Sequence, residues 1–176
     1  MSPRRAEPLA VEYVLLGLIR QQPTHGYELA ASLNREESVG LIWQINPSRL
    51  YALLEKLEHA GWLLAQIKPG EGLQQRKEYR ISETGERVFL EWLRSPVNAA
   101  HRMRQEFMAR LYFALQEGSA AVAELVLNQV KVCRMWHDRL TAEANSLNVE
   151  QVFEHKVFKY RIGQVQAMLD WLNSLL

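Results

Sequence analysis

The chain has 176 residues, 48% of them hydrophobic, and its 21 Lys and Arg against 20 Asp and Glu leave a net charge of +1. This composition excludes a disordered chain and is sufficient for the buried core of one large domain or two small ones. A net charge so close to zero provides no whole-chain argument for a nucleic-acid or acidic-membrane partner, so any basic surface must be local.

Cysteine content and the N-terminal stretch indicate the compartment. The single cysteine, Cys133, cannot form an intramolecular disulfide and lies in a helical pattern, not in a metal-ligand spacing. In "MSPRRAEPLAVEYVLLGLI", Glu12 interrupts the apolar stretch and no small-residue cleavage site follows, which argues against a signal peptide. No run reaches the ~20 apolar residues of a membrane span. We therefore expect a cytoplasmic protein with no membrane partner and no metal or other cofactor.

Two helices are predicted first. Residues 9–20 place apolar side chains on one face, and this helix should end at "QQP" because the residue before Pro23 avoids helical angles. A second helix is predicted over residues 24–34, with Thr24 as a possible N-cap.

The third helix lies in "INPSRLYALLEKLEHAGWLL", residues 45–64. Asn46 is a suitable N-cap, Pro47 suits the first helical position, and Gly61 provides a stop. One apolar stripe with helical spacing should face the core, and it consists of Leu50, Leu53, Leu54 and Leu57.

The opposite face of this helix suits a DNA major groove. Its residues are Ser48, Ala52, Glu55 and His59, with Arg49 and Lys56 beside them and with Tyr51, which could be partly buried instead. Small and polar residues with a cation early on the exposed face are typical of a groove-reading helix. The alternative is a plain amphipathic surface helix, because Glu55 and Glu58 would repel phosphates.

A cationic hairpin follows. Residues 63–67 and 77–81 are short extended patterns, joined by a polar link that contains Pro69, Gly70 and Gly72. Its tip and second arm have a net charge of +2, from Lys68, Arg76, Lys77 and Arg80 against Glu71 and Glu78. Such a hairpin, placed beside a helix that fits the major groove, would bind phosphates. Ser82 then caps a fourth helix. Three helices followed by a hairpin are the element order of a winged helix.

The second half contains only long helical patterns. Pro96 and Asn98 interrupt the periodicity in "RSPVNAAH", so the predicted domains are a winged-helix DNA-binding domain over residues 1–97 and an α-helical dimerisation and effector domain over residues 98–176. The fold class is mainly α with a small β-hairpin.

The last helix carries two apolar stripes. The first has the spacing of a coiled-coil seam and is the predicted dimerisation surface, formed by Phe158, Ile162, Val165, Leu169, Leu172 and Leu176. The second runs through Val157, Tyr160, Met168, Trp171 and Leu175. A helix that is apolar on two sides needs two neighbours, so one stripe should pack within the protomer and the other on a partner chain. Burial of both stripes in one three-helix domain remains the alternative.

The first half resembles the PadR family of bacterial transcriptional regulators. The residues that carry the resemblance are "VLLGLI", "THGYEL", "SRLYALLEKLEHAGWL" and "KEYRISETGERVF", in that order, and the second half is similar to the longer members with a helical domain. The resemblance implies a non-enzymatic winged-helix homodimer that represses a nearby operon until a small effector, such as an aromatic or phenolic compound, releases it from a palindromic operator. The stretch from Asn46 to Arg80 has a net charge of only +2, so DNA affinity would require two protomers or be modest and salt-sensitive.

Site residues follow from this interpretation. Five residues of the third helix are predicted in or beside the groove, and three of the hairpin on phosphates: Ser48, Arg49, Tyr51, Ala52 and Lys56, then Lys68, Arg76 and Lys77. Trp92, Trp136 and Trp171 are the candidate effector-binding aromatics, although each could be core packing. No catalytic motif is present. The alternative function is a winged-helix protein-interaction module, which would have the outer face of the third helix covered by another chain.

Overall fold

The computed structural model describes residues 10–35, 37–69 and 75–176 of the chain. Gly70 and Gly72 of the predicted hairpin link, and the first nine residues, lie outside this range. The chain divides into two compact units, residues 1–93 and 94–176, called here the N-terminal and the C-terminal unit. Within the described residues, no helix combines the length and apolar character that a bilayer crossing needs.

The N-terminal unit is helical with a small antiparallel sheet, which confirms the predicted fold class. Its elements are α1 (Ala10–Gln21), β1 (Thr24–His25), α2 (Gly26–Leu33), a short 3-10 turn (Ser38–Leu41), α3 (Pro47–His59), β2 (Leu63–Pro69), β3 (Gln75–Ile81) and α4 (Glu83–Arg94). The strand order is β1-β3-β2, so the predicted hairpin of β2 and β3 carries a third strand.

The third strand corrects the predicted start of α2. Thr24 and His25 are extended and pair with Tyr79 and Glu78 of β3, so the helix begins at Gly26 and not at Thr24. The Thr24 hydroxyl and the His25 backbone N–H each donate a hydrogen bond of 2.9 Å to the Glu28 carboxylate. These bonds, the one from His25 first, lower the pKa of Glu28. The residues that pair with this strand lie more than fifty positions away in the chain. The sequence around Thr24 and His25 therefore gives no sign that they form a strand.

Helix α3 has the boundaries that its sequence predicts. The Asn46 side chain accepts a hydrogen bond of 2.8 Å from the Arg49 backbone N–H, and Pro47 is the first helical residue. Gly61 has a φ of +73°, a conformation that favours glycine after a helix. All four leucines of the predicted stripe are buried. The opposite face is therefore left to solvent.

The C-terminal unit is entirely helical in its regular structure. It contains a 3-10 turn (Ala100–Arg104), α5 (Glu106–Glu117), α6 (Ser119–Asn145) and α7 (Val152–Asn173). Helix α6 packs on both α5 and α7. Cys133 lies fully buried in α6, and burial raises the pKa of its thiol.

Candidate nucleic-acid interface

Four of the predicted groove residues share the exposed face of α3. Ser48, Arg49 and Ala52 are exposed, and Tyr51 is 48% exposed. Among the described residues, none partners the Arg49 guanidinium, which leaves its donors available for a base edge or a phosphate.

Tyr51 lies across the start of α2. A methyl group at Gly26 would be only 2.5 Å from Cε1 of Tyr51, so the absence of a side chain at Gly26 allows the ring to pack there. Tyr51 therefore packs its Cε1 edge against α2 and still contributes to the exposed face of α3.

Lys56 has a different environment from the other groove candidates. Its Nζ donates a hydrogen bond of 2.6 Å to Oε1 of Glu12, a side chain of α1 that is only 1% exposed. The sequence predicted Lys56 as a DNA contact, whereas the structure places its charge beside a buried carboxylate. Lys56 thus ties α3 to α1.

Three of the four hairpin cations, Lys68, Lys77 and Arg80, pair with carboxylates. Lys77 donates a hydrogen bond of 3.1 Å to Glu58, and this bond raises the pKa of the Lys77 amine. Lys68 lies 3.9 Å from Glu78, which also accepts from Arg80. Exposed pairs of this kind are weak and can exchange a carboxylate for a phosphate at small cost. The pair with Lys77 also neutralises the negative charge of Glu58, one of the two glutamates expected to repel DNA.

A stack of side chains beside α3 was not assigned from the sequence. The His25 ring stacks on Tyr27 with centroids 5.6 Å apart, and the Arg76 guanidinium lies 5.3 Å from the Tyr27 ring centroid. The His25 Nδ1 is also 3.0 Å from the carbonyl oxygen of Lys77. The stack holds the second arm of the hairpin against α2. Its signal in the sequence was the "THGYEL" motif, which by itself predicts only a turn between helices.

The three candidate effector aromatics have separate environments. Trp92 is buried in the N-terminal unit and stacks on Tyr13 with centroids 5.1 Å apart. Trp171 is half-buried in the C-terminal unit and meets Phe107 edge-on at 5.8 Å. Trp136 lines an open cleft of the C-terminal unit. Of the three, Trp136 is the one found in the lining of this cleft.

The predicted dimerisation stripe of α7 lies largely within the protomer. Val165, Leu169 and Leu172 are buried in the single chain, Phe158 and Ile162 are half-buried, and Leu176 is 61% exposed. Large exposed apolar side chains occur elsewhere in this unit, and they include Leu127, Met135, Val149, Val152, Phe153 and Tyr160. Half of the predicted seam is therefore buried inside the protomer, while Phe158, Ile162 and Leu176 keep surface that a partner chain could contact.

Comparison with known proteins identifies both halves of the chain. The sequence profile of the transcriptional regulator PadR-like family matches residues 15–91, and that of the virulence activator alpha C-term family matches residues 103–176. The crystal structure of Bacillus subtilis PadR in complex with operator DNA aligns with a TM-score of 0.50 at 20% identity, over 95% of this chain and 97% of that one. At this identity the alignment shows a shared fold.

Two curated relatives match along nearly the whole chain. The negative transcriptional regulator PadR of Bacillus subtilis strain 168 is 24% identical over 175 residues, 94% of this chain and 95% of the relative. The probable transcriptional regulator Rv1176c of Mycobacterium tuberculosis is 24% identical over 183 residues, 95% of this chain and 96% of the relative. With the profile match over the winged-helix elements, residues 15–91 form a PadR-like family domain, the domain of transcriptional regulators.

Proposed function

We propose that the chain is a homodimeric transcriptional repressor that binds a palindromic operator in the cytoplasm and is released by a small-molecule effector. The proposal is carried by the exposed face of α3, where the Arg49 guanidinium has no partner among the described residues. The hairpin of β2 and β3 presents further cations. The Bacillus subtilis relative is named a negative regulator, and its crystal structure is in complex with operator DNA, which supports the proposal.

The candidate residues divide into three roles. Ser48, Arg49, Tyr51 and Ala52 read the groove. Lys68, Arg76 and Lys77 hold phosphates, and Arg76 is oriented for this by the Tyr27 ring. Lys56 holds α3 in place through Glu12. Two-fold symmetry would put two copies of α3 about 34 Å apart, one turn of DNA.

Removing a cation from the exposed face of α3 or from the hairpin should weaken DNA binding. We expect Arg49→Ala to raise the operator Kd roughly tenfold or more, because one bidentate base contact contributes about 1–3 kcal/mol. Lys77→Ala should weaken binding less and lower the slope of log K against log salt by about 1.8, since each of the two protomers loses one phosphate contact that contributes about 0.9. Mobility-shift titrations on DNA selected from a random pool would measure both.

Arg87→Ala is the matched control, since Arg87 is an exposed arginine of α4 in the same unit. It should leave the operator Kd unchanged. Wild-type affinity and salt slope in both the Arg49 and the Lys77 variant would refute the assignment of the interface.

The dimer should depend on the exposed apolar side chains of α6 and α7. Met135 is 70% and Phe153 75% exposed in the protomer, and charges on such side chains are costly at the centre of an interface. We expect the double variant Met135→Lys, Phe153→Lys to be monomeric by light scattering and to lose most operator affinity. Leu64→Lys, at an exposed position of β2, should stay dimeric. A wild-type chain that is monomeric while it binds duplex tightly would contradict the proposed homodimer.

A further inference from the structure

Two buried polar side chains of the C-terminal unit bind one short stretch of backbone. Arg110 of α5 is 4% exposed and Gln129 of α6 is fully buried, and the described residues of this unit include no other buried polar or charged side chain. Both bind the segment 95–97, which follows α4 and is called here the connector. A buried polar group is costly unless it is hydrogen-bonded, so each of these side chains needs partners, and the connector provides them for both.

Gln129 binds both polar backbone groups of one connector residue. Its side-chain oxygen accepts a hydrogen bond from the Val97 N–H at 2.7 Å, and its amide nitrogen donates to the Val97 carbonyl oxygen at 3.2 Å. Val97 is 1% exposed and belongs to no helix or strand, so regular backbone structure does not supply these bonds. A carboxamide accepts at one atom and donates at another, as a peptide group does. Gln129 therefore binds Val97 as a neighbouring strand would.

Arg110 holds the connector two residues earlier. Its guanidinium donates hydrogen bonds to the Ser95 carbonyl oxygen and to the Glu106 carboxylate, both at 2.5 Å. Glu106 lies in the first turn of α5, and its carboxylate is also 3.6 Å from the Arg102 guanidinium. Arginine carries several donors in one planar group, so a single side chain can bind the connector and α5 together.

The connector has little conformational freedom between these two attachments. Pro96 lies between Ser95 and Val97, and its ring fixes its own φ and favours an extended conformation for the residue before it. Helix α4 ends at Arg94, so the first attachment follows directly after the last residue of that helix. The chain that leaves α4 is therefore bound at once to both α5 and α6.

We propose that Gln129 and Arg110 are positioning residues that set the spacing of the operator half-sites. This inference rests on the proposed homodimer and its palindromic operator. Helix α6 carries the exposed Met135 of the expected partner surface, and the same helix holds the connector through Gln129. A stiff attachment restricts the distance between the two copies of α3, whereas a loose one lets them reach half-sites over a range of spacings. Both residues act through the connector and not on DNA.

Operators with altered spacing test the positioning role. Two half-sites from DNA selected in a random pool would be joined at the selected spacing, or with an insertion of about half a helical turn, roughly five base pairs. For the wild-type full chain, we expect the insertion to raise the Kd roughly a hundredfold, because the second half-site can no longer be bound. Gln129→Met keeps a long buried side chain without either bond and should reduce this ratio to about tenfold or less. Affinity for a duplex with one half-site should stay within about twofold of wild type, since α3 and the hairpin are distant and unchanged.

Two further variants separate positioning from a general loss of stability. Val126 is fully buried in α6 one turn before Gln129, so Val126→Ala loosens the packing of the same helix without removing either bond to Val97. This control should keep the wild-type ratio. Arg110→Lys keeps a positive charge beside Glu106 but lacks the planar fork that binds two partners, so it should also lower the ratio. A wild-type ratio in Gln129→Met or in Arg110→Lys, or an equal loss in Val126→Ala, would overturn the proposal.

Hydrogen exchange tests the attachment without DNA. The Val97 amide should exchange slowly in the wild type and at least about tenfold faster in Gln129→Met, while circular dichroism shows the same helix content in both. A wild-type Val97 amide that exchanges at the rate of an unstructured chain would overturn the proposal. If Val97 is protected but the wild type binds the two operators equally well, the attachment stands, whereas the proposed dimer on a palindrome fails and the positioning role fails with it.

Discussion

Gly85→Ala should destabilise the N-terminal unit by about 3 kcal/mol, at the upper end of the usual cost of overpacking. A methyl group at Gly85 would lie 2.1 Å from the backbone oxygen of Trp62 and 3.0 Å from Cγ1 of Ile81. The Trp62 carbonyl cannot move away freely, because it accepts a hydrogen bond of 3.0 Å from the Ser82 N–H. Ser82 in turn donates to the Gly61 carbonyl and accepts from the Gly85 N–H. The substitution would therefore separate α4 from the start of β2.

Gly163→Ala is the control with the same chemical change. Gly163 lies inside α7, and apart from its chain neighbours and its own helix backbone no heavy atom of the described residues is within 4 Å of the methyl position. Alanine should stabilise the C-terminal unit by about 0.5–1 kcal/mol, because it restricts the unfolded chain and favours the helix. Urea unfolding followed by circular dichroism would measure both variants, with two transitions fitted where the units unfold separately. Equal effects of the two substitutions would show that the close contact at Gly85 is not the cause.

Lys56→Met should destabilise the N-terminal unit by about 2–4 kcal/mol, since removing one partner of a buried ion pair leaves an uncompensated charge. Glu12 is only 1% exposed, and its recorded partner among the described residues is the Lys56 amine at 2.6 Å. The half-exposed lysine is itself solvated, so the cost arises mainly at Glu12. The double variant Glu12→Leu, Lys56→Met should recover most of the lost stability, because it removes both charges together.

The same pair of variants separates two roles of Lys56. If Lys56 only holds α3 against α1, the double variant should bind the operator within about twofold of wild type, apart from a small loss of non-specific attraction. A loss of affinity similar to that of Arg49→Ala, in a protein of recovered stability, would instead assign Lys56 to the DNA contacts predicted from the sequence.

The predictable features of the fold were those with short-range causes. The leucine stripe of α3, its Asn46 cap and its Gly61 stop follow from helical geometry within one segment, and the structure has all of them. The order of helices and hairpin was predictable for the same reason. That the exposed face of α3 reads DNA was predicted from its small, polar and cationic residues and stays a prediction.

Side-chain partners distant in sequence were decided by the tertiary structure alone. Periodicity showed that α7 has two apolar stripes, but only packing determined that Val165 and Leu169 lie inside the protomer. Likewise, the sequence places a cation at position 56. Its pairing with Glu12 was decided by the fold, because the two residues belong to different helices. Sequence patterns thus determined which segments form helices and which faces are apolar, because those depend on neighbours within a few residues. Which face meets which partner depended on contacts that form only when the whole unit folds.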